Sequence, residues 1–186
     1  MVDTHFRRIE TARLLLRVPQ REDFDGYAEL FADEEAARHV GGHMARAAAW
    51  RKFLQMPGAW AVQGFAMFSV IDKSSDEWLG QAGPWQPDRH NGTEVGWILR
   101  RASWGRGFAT EAATATIDWA FSNLGWDEVI HNIMPGNAAS IALAQRLGSR
   151  YRGSVRLPQP HADVAVGVWA QTREQWSRRR ATEAEA

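Results

Sequence analysis

The chain has 186 residues and carries 22 basic and 22 acidic side chains, so no global field draws it to nucleic acid or to an acidic membrane surface. It has no cysteine, which excludes disulfides, thiol nucleophiles and thiolate metal sites and makes a reducing cytoplasm the expected setting. No apolar run approaches the roughly 20 residues of a membrane span, and the first eight residues lack the apolar core of a leader peptide, so a single domain over residues 1–186 is expected.

Taken in order, residues 9–18 read as an opening strand that Pro19 ends. A helix follows, with Phe24, Tyr27, Leu30 and Phe31 at three-to-four spacing, and a second helical pattern spans 45–55 after the Gly41-Gly42 break. Met56-Pro57-Gly58 closes that pattern, and 60–72 read as extended chain with a strand over 65–71. The polar turn 73–76 and a returning strand over 77–85 complete a hairpin, and a second turn over 87–92 leads to a strand over 93–100. A helix over 107–124 turns Ala113, Ile117, Phe121 and Leu124 inward, with Gly125 as its cap. Next come a strand over 126–134 and a short helix capped by Asn137 that ends at Gly148. The pair 150–155 and 163–169 closes the fold around Pro158-Gln159-Pro160, and the charged segment from 173 is expected to fray over 177–186, leaving a core over 9–176. This order predicts an α/β fold with a sheet of mixed direction.

The densest chemistry lies in Arg100-Arg101-Ala102-Ser103-Trp104-Gly105-Arg106-Gly107-Phe108-Ala109-Thr110-Glu111, between a strand and a helix. Glycines let the backbone come close to a ligand, several amides point one way, and the helix N-terminus adds positive potential, so this loop is read as a cradle for a phosphate or pyrophosphate. A dinucleotide fold would need Gly or Ala where Thr110 stands and an acid ending the next strand, whereas Asp127 and Glu128 begin it. A P-loop is excluded because no Gly-Lys-Ser/Thr occurs.

Outside the loop, Asn137 is first of all a helix cap and Ser140 a residue of that helix's first turn. Glu94 opens the key strand, either as a solvated carboxylate or as the group that deprotonates an incoming ammonium. His39 and His43 are separated by the Gly-Gly break and share no helix face, so no metal site is expected; His131 reads as a partnered strand residue. His90 and His161 fall in turns that border a substrate entrance or only solvent. Most of the ten tryptophans are assigned to packing, with Trp85, Trp97 and Trp104 flanking the inferred site.

The sequence resembles the GNAT acetyltransferases, and among them the ribosomal-protein N-terminal alanine and serine acetyltransferases. The matching text is Thr11-Ala12-Arg13-Leu14-Leu15-Leu16-Arg17, then Glu94-Val95-Gly96-Trp97-Ile98-Leu99, then 104–112 of the loop, and Asn137-Ala138-Ala139-Ser140-Ile141 with Leu147-Gly148. The resemblance implies a mostly antiparallel central sheet of about seven strands flanked by about four helices. It implies acetyl-CoA as donor, a primary amine as acceptor (a protein N-terminus or a small molecule), no metal, and a monomer or homodimer. In such enzymes the loop receives the pyrophosphate, through Arg101, Ala102, Trp104, Gly105, Arg106, Gly107, Phe108, Ala109 and Thr110. The pantetheine arm pairs with Trp97, Ile98 and Leu99 as an added strand would, and Asn137 and Ser140 complete the cofactor site. Ala144 stands where many members carry a tyrosine acid, so the resemblance points to Ser140 as the donor to sulfur, with Glu94 as the second catalytic candidate. Ser149 replaces the phenylalanine usual after Leu-Gly, and Ala102 the Gln or Arg usual three residues before the first glycine. The alternative reading is a non-catalytic acyl-CoA sensor on the same fold.

Overall fold

The computed structural model describes residues 7–158 and 163–184; Gln159, Pro160 and His161 of the expected closing turn lie outside the described residues, as do 1–6. The strands are β1 (Arg8–Glu10), β2 (Leu14–Arg17), β3 (Phe68–Asp72), β4 (Trp78–Trp85), β5 (Glu94–Leu99), β6 (Glu128–Ile133), β7 (Arg150–Arg156) and β8 (Ala165–Thr172). The helices are α1 (Phe24–Ala32), α2 (Glu34–Ala37), α3 (Arg46–Phe53), α4 (Gln55–Gln63), α5 (Phe108–Asn123), α6 (Ala138–Arg146) and α7 (Arg173–Ala184). Among the described residues the eight strands form one sheet in the order β1-β2-β3-β4-β5-β6-β8-β7. All neighbours are antiparallel except β5 and β6. The expected fold class is the one formed.

Three local readings differ. The opening run is a hairpin, not one strand, because Thr11 turns the chain: its N–H donates to the Leu14 carbonyl at 3.0 Å, and Leu14 N–H returns to Thr11 Oγ1 at 2.9 Å. That adds the eighth strand. The segment after Pro57 is helical, because proline is tolerated in the first turn, where its missing N–H has no helical partner anyway. Met56 and Trp60, four residues apart on α4, are both buried, and the helix stops only at Gly64 (φ +86°). The charged end is helix α7. Its Trp176 is buried and donates from Nε1 to Asp118 Oδ1 at 2.6 Å, and Arg179–Glu183 (2.6 Å) adds an i,i+4 pair along it.

The sheet separates two apolar layers. One face packs Leu16, Val70, Val95 and Val129 beneath Trp60 of α4, Ile117 of α5, Leu143 of α6 and Trp176 of α7. The other packs Ile71 and Trp78 beneath Tyr27 and Phe31 of α1, Ala37 of α2 and Phe53 of α3. Asp23 pins α1 to this second face. Its buried carboxylate accepts two bonds from the Arg17 guanidinium (2.7 and 2.8 Å), one from Gln20 N–H and one from Ser69 Oγ. No helix among the described residues is long and apolar enough to cross a membrane.

The feature that places a site is the parallel neighbour pair. β5 and β6 are in register only at Glu94↔Ile130, where Ile130 N–H donates to the Thr93 carbonyl at 3.0 Å. Beyond that point the strands part, and the edge of β5 from Val95 to Leu99 loses its neighbour.

Candidate active site

A cleft of about 410 Å³ opens where the strands part. Its loop wall is built by glycine: Gly105 (φ +71°) and Gly107 (φ +80°) hold left-handed conformations that other residues rarely adopt. Gly107 is also the N-cap of α5 and offers no side chain, so the first amides of that helix stay free for an anion. Trp104, Gly105, Gly107, Phe108, Ala109 and Thr110, the loop residues expected to contact a cofactor, all line the cleft.

The loop is clamped from a distance. Glu111, one turn into α5, accepts from Thr11 Oγ1 (2.6 Å), Arg13 N–H (2.9 Å) and Arg13 Nε (2.7 Å). Arg13 Nη1 then donates to the Arg106 carbonyl at 2.9 Å, and the guanidinium carbons of Arg13 and Arg106 each lie 4.6 Å from the Phe108 ring centroid. Bonds from Thr11 and Arg13, the latter carrying a full charge, hold the Glu111 carboxyl below the usual range against its partial burial. The Thr-x-Arg text near the N-terminus and the Gly-x-Gly text of the loop are therefore two halves of one contact. The sequence predicted neither Arg13 nor Glu111 as a site residue, although both stand in the quoted motifs.

The strand wall is the free edge of β5. Trp97, Ile98 and Leu99 line the cleft. Trp104 Nε1 donates to the Leu99 carbonyl at 2.9 Å, which ties the loop to the strand. Backbone groups alternate along a strand, so the Trp97 N–H lies on the same edge as the Val95 and Leu99 carbonyls and faces the gap. On α6, Asn137 Oδ1 accepts from Ser140 N–H at 3.1 Å, and both residues line the cleft. Trp97 Nε1 donates to Ser140 Oγ at 3.2 Å. That bond occupies one lone pair of the hydroxyl and leaves its hydrogen free to donate into the cleft. Ala144 is fully buried and brings no hydroxyl to this wall.

Across the sheet from Ser140, on the face of Ile98, lies a second polar cluster. Glu94 Oε2 accepts from His90 Nε2 at 2.5 Å and from Asn132 Nδ2 at 2.8 Å, and Asn132 is bonded in turn to Asn91. The side chains of His90 and Glu94 are 5% and 12% exposed, so Glu94 is not a solvated strand-start carboxylate. It stands at the one position where β5 and β6 still pair. The sequence placed His90 only at an entrance; the structure makes it the partner of Glu94.

Arg101 and Ala102 line a neighbouring depression rather than this cleft, and Arg101 Nε is paired with Asp33 at 2.8 Å. Arg106 presents its carbonyl to Arg13 and its guanidinium to Phe108. Leu143 and Arg146 of α6, which the sequence reading passed over, also line the cleft, as does His39 beside α2, which it weighed only as a metal ligand. Arg146 Nη1 donates to Thr110 Oγ1 at 3.3 Å. The missed helix α2 had a signal, an N-cap Asp33 followed by Glu34-Glu35: the Asp33 carboxylate accepts from the amides of Glu35 and Ala36. No cluster of three or more His, Asp or Glu side chains is placed to hold a metal among the described residues.

Comparison with known proteins gives a consistent picture. A family model described as an acetyltransferase (GNAT) domain matches residues 13–150. The chain is similar to the N-acetyltransferase p20 of Bacillus licheniformis, with 33% identity over 149 residues that cover 78% of this chain and 84% of the relative. Among solved structures, an acetyltransferase from Agrobacterium tumefaciens str. C58 superposes with a TM-score of 0.79 at 28% identity, covering 89% of this chain and 94% of that one. The ribosomal-protein-S5-alanine acetyltransferase from Vibrio fischeri shares the fold, with a TM-score of 0.69 at 19% identity over 91% of this chain and 98% of its own.

Proposed function

Because the chain belongs to the GNAT acetyltransferase family, we propose that it moves an acetyl group from acetyl-CoA to a primary amine by direct attack within a ternary complex. The observation that carries this reading is a single cleft that gathers the free β5 edge, the glycine loop and a hydroxyl with its hydrogen to spare. Glu94 does not line that cleft; it is buried at the paired end of the seam, on the other face of the sheet. The residues present suit the cofactor. The loop offers unblocked amides at Gly105–Thr110, no atom lies within 4 Å of where a Gly105 side chain would begin, and Arg146 stands beside Thr110.

When bound, acetyl-CoA supplies an activated acyl carbon and a sulfur leaving group. The amides of the loop and of the first turn of α5 would hold the pyrophosphate, and the β5 edge would align the pantetheine arm. The Trp97 N–H, fixed by the sheet, would be the donor for negative charge on the thioester oxygen. Ser140 would donate a hydrogen bond toward sulfur, with its orientation set by Trp97 and Asn137. On the opposite face Glu94, steadied by His90 and Asn132, would take a proton through water from the incoming ammonium, so that the neutral amine attacks. With no cysteine in the chain, an acyl-cysteine intermediate is excluded.

The acceptor class is an amine, and a protein N-terminus is the first to test, since a structural neighbour is named for that chemistry. The test is a panel of peptide N-termini and small amines scored by release of free coenzyme A, with calorimetry for acetyl-CoA itself. Saturable binding and thiol release are expected; no binding at millimolar ligand ends the proposal. Ser140→Ala is expected to lower kcat on the order of tenfold to a hundredfold while leaving KM for acetyl-CoA nearly unchanged.

A further inference from the structure

Beneath the strand wall runs a buried chain of hydrogen bonds that the proposed reaction does not use. His131 of β6, Ser149 just before β7 and Gln171 of β8 are each almost fully buried. His131 Nδ1 lies 2.6 Å from the Val95 carbonyl, which can only accept, so Nδ1 carries the proton. Nε2 is then an acceptor, and Ser149 Oγ, 3.0 Å away, donates to it. Gln171 Nε2 completes the chain by donating to Ser149 Oγ at 2.9 Å. Polarity thus runs one way, from β8 through the β7 entrance and β6 to the edge of β5, and one tautomer satisfies every group named.

The last bond falls where it matters. Pairing of β5 with β6 ends at Glu94↔Ile130, so the Val95 carbonyl is the first β5 group on that edge to lose its strand partner. A buried carbonyl without a partner is costly, and the imidazole supplies the bond that β6 no longer can. The same ring packs against Trp97, with centroids 4.8 Å apart, and Trp97 is the residue that donates to Ser140. Ser149 stands where the resembling family usually has phenylalanine. In this chain the small hydroxyl leaves room for, and orients, a ring on β6, which β8 separates from β7 in the sheet.

Resting on the acetyl-transfer reading above, we propose that Gln171, Ser149 and His131 are positioning residues. They hold open the gap between β5 and β6 and set the Trp97 ring, and through it the Ser140 hydroxyl, at the angle that sulfur requires. None of the three acts on substrate itself. Their effect reaches the chemistry by way of Val95 and Trp97.

The test removes the middle hydroxyl, which leaves little cavity and a fold expected to survive. In Ser149→Ala, kcat should fall on the order of tenfold with KM for acetyl-CoA changed less than about twofold, the pattern of misplaced chemistry and not of lost binding. The indole N–H resonance of Trp97, assigned with Trp97→Phe, should shift in Ser149→Ala. Ser149→Thr, which keeps the hydroxyl, should restore both readouts. An unmoved indole resonance overturns the proposal, as does a loss of kcat that Ser149→Thr fails to rescue. The resonance arm needs no turnover, so the positioning claim stays decidable even where no amine acceptor is found and the acetyl-transfer reading fails by itself.

Discussion

The imidazole at the centre of that chain makes a sharp prediction about stability. His131 is wholly buried, and burial lowers its pKa from the ordinary 6.5 to about 4, against the smaller opposing pull of the Val95 carbonyl and the Glu94 charge. The unfolded chain therefore takes up a proton near pH 6.5 that the folded chain refuses until about pH 4. Stability from this group is complete above the unfolded value and is lost as pH falls across that interval. At about 1.4 kcal/mol per pH unit, the interval is worth about 3 kcal/mol, most of it gone by about pH 4.5. His131→Asn keeps an N–H near the Nδ1 position for the Val95 carbonyl and removes the titration. Urea unfolding of the two proteins from about pH 7 down to about pH 4.5 isolates the term, since all other groups are shared. The wild type should lose about 2–3 kcal/mol more than the variant over that range. Parallel loss in both would show that the ring titrates freely in the folded state, and the one-way hydrogen-bond chain would be wrong.

Other contacts make predictions of their own. Glu94→Gln should lower kcat on the order of a hundredfold; unchanged turnover would move the base elsewhere. Glu111→Gln places an amide among three donors from Thr11 and Arg13, and should raise KM for acetyl-CoA several-fold with a smaller effect on kcat, because it loosens the loop and not the reacting centre. A fall in kcat at constant KM would contradict the clamp. Asp23→Ala strands the part-buried Arg17 guanidinium and the buried Ser69 hydroxyl, and should cost about 3–5 kcal/mol in chemical unfolding; a change below about 1 kcal/mol would mean that the pair is solvated.

The loop and its strand were legible because their constraints are local. Gly105 and Gly107 declare left-handed backbone, Asn137 declares a cap, and a strand before the loop with a helix after it fixes where the free helix-start amides lie. Ser140 was legible only through resemblance, since a serine in a first helical turn has no pattern of its own. The errors have physical causes. Pro57-Gly58 was read as a stop, yet proline is permitted in a first turn, so α4 was taken for extended chain. Arg101 carried charge beside the loop, but charge does not fix direction, and Asp33 holds it over the adjacent depression. The His90–Glu94 pair and the Gln171–Ser149–His131 chain could not be read at all. His90 and Glu94 are only four residues apart, but they meet across a turn with no periodicity to announce it; the members of the longer chain are brought together by sheet order, and the neighbour relation of β6 and β8 skips β7.

That same sheet order explains why the site needs so few specialised residues. An otherwise antiparallel sheet has one parallel seam, and the seam pairs at one position. A strand edge freed in the middle of a sheet is rigid on its other side, because β4 pairs with β5 along its whole length from Glu94 to Leu99. The Trp97 N–H is therefore aimed by the fold before any ligand arrives, at no cost in reorganisation. The seam also gives access from both faces. Ser140 reaches it from the face of α5 and α6, whereas Glu94 lies at its paired end on the face of α1 and α2, so the proposed proton donor and the proposed proton acceptor do not touch each other. Were both on one face, the carboxylate would accept the hydroxyl hydrogen bond that the proposed leaving sulfur needs. Separation by the sheet is what lets a glutamate and a serine hold opposite roles in the proposed transfer.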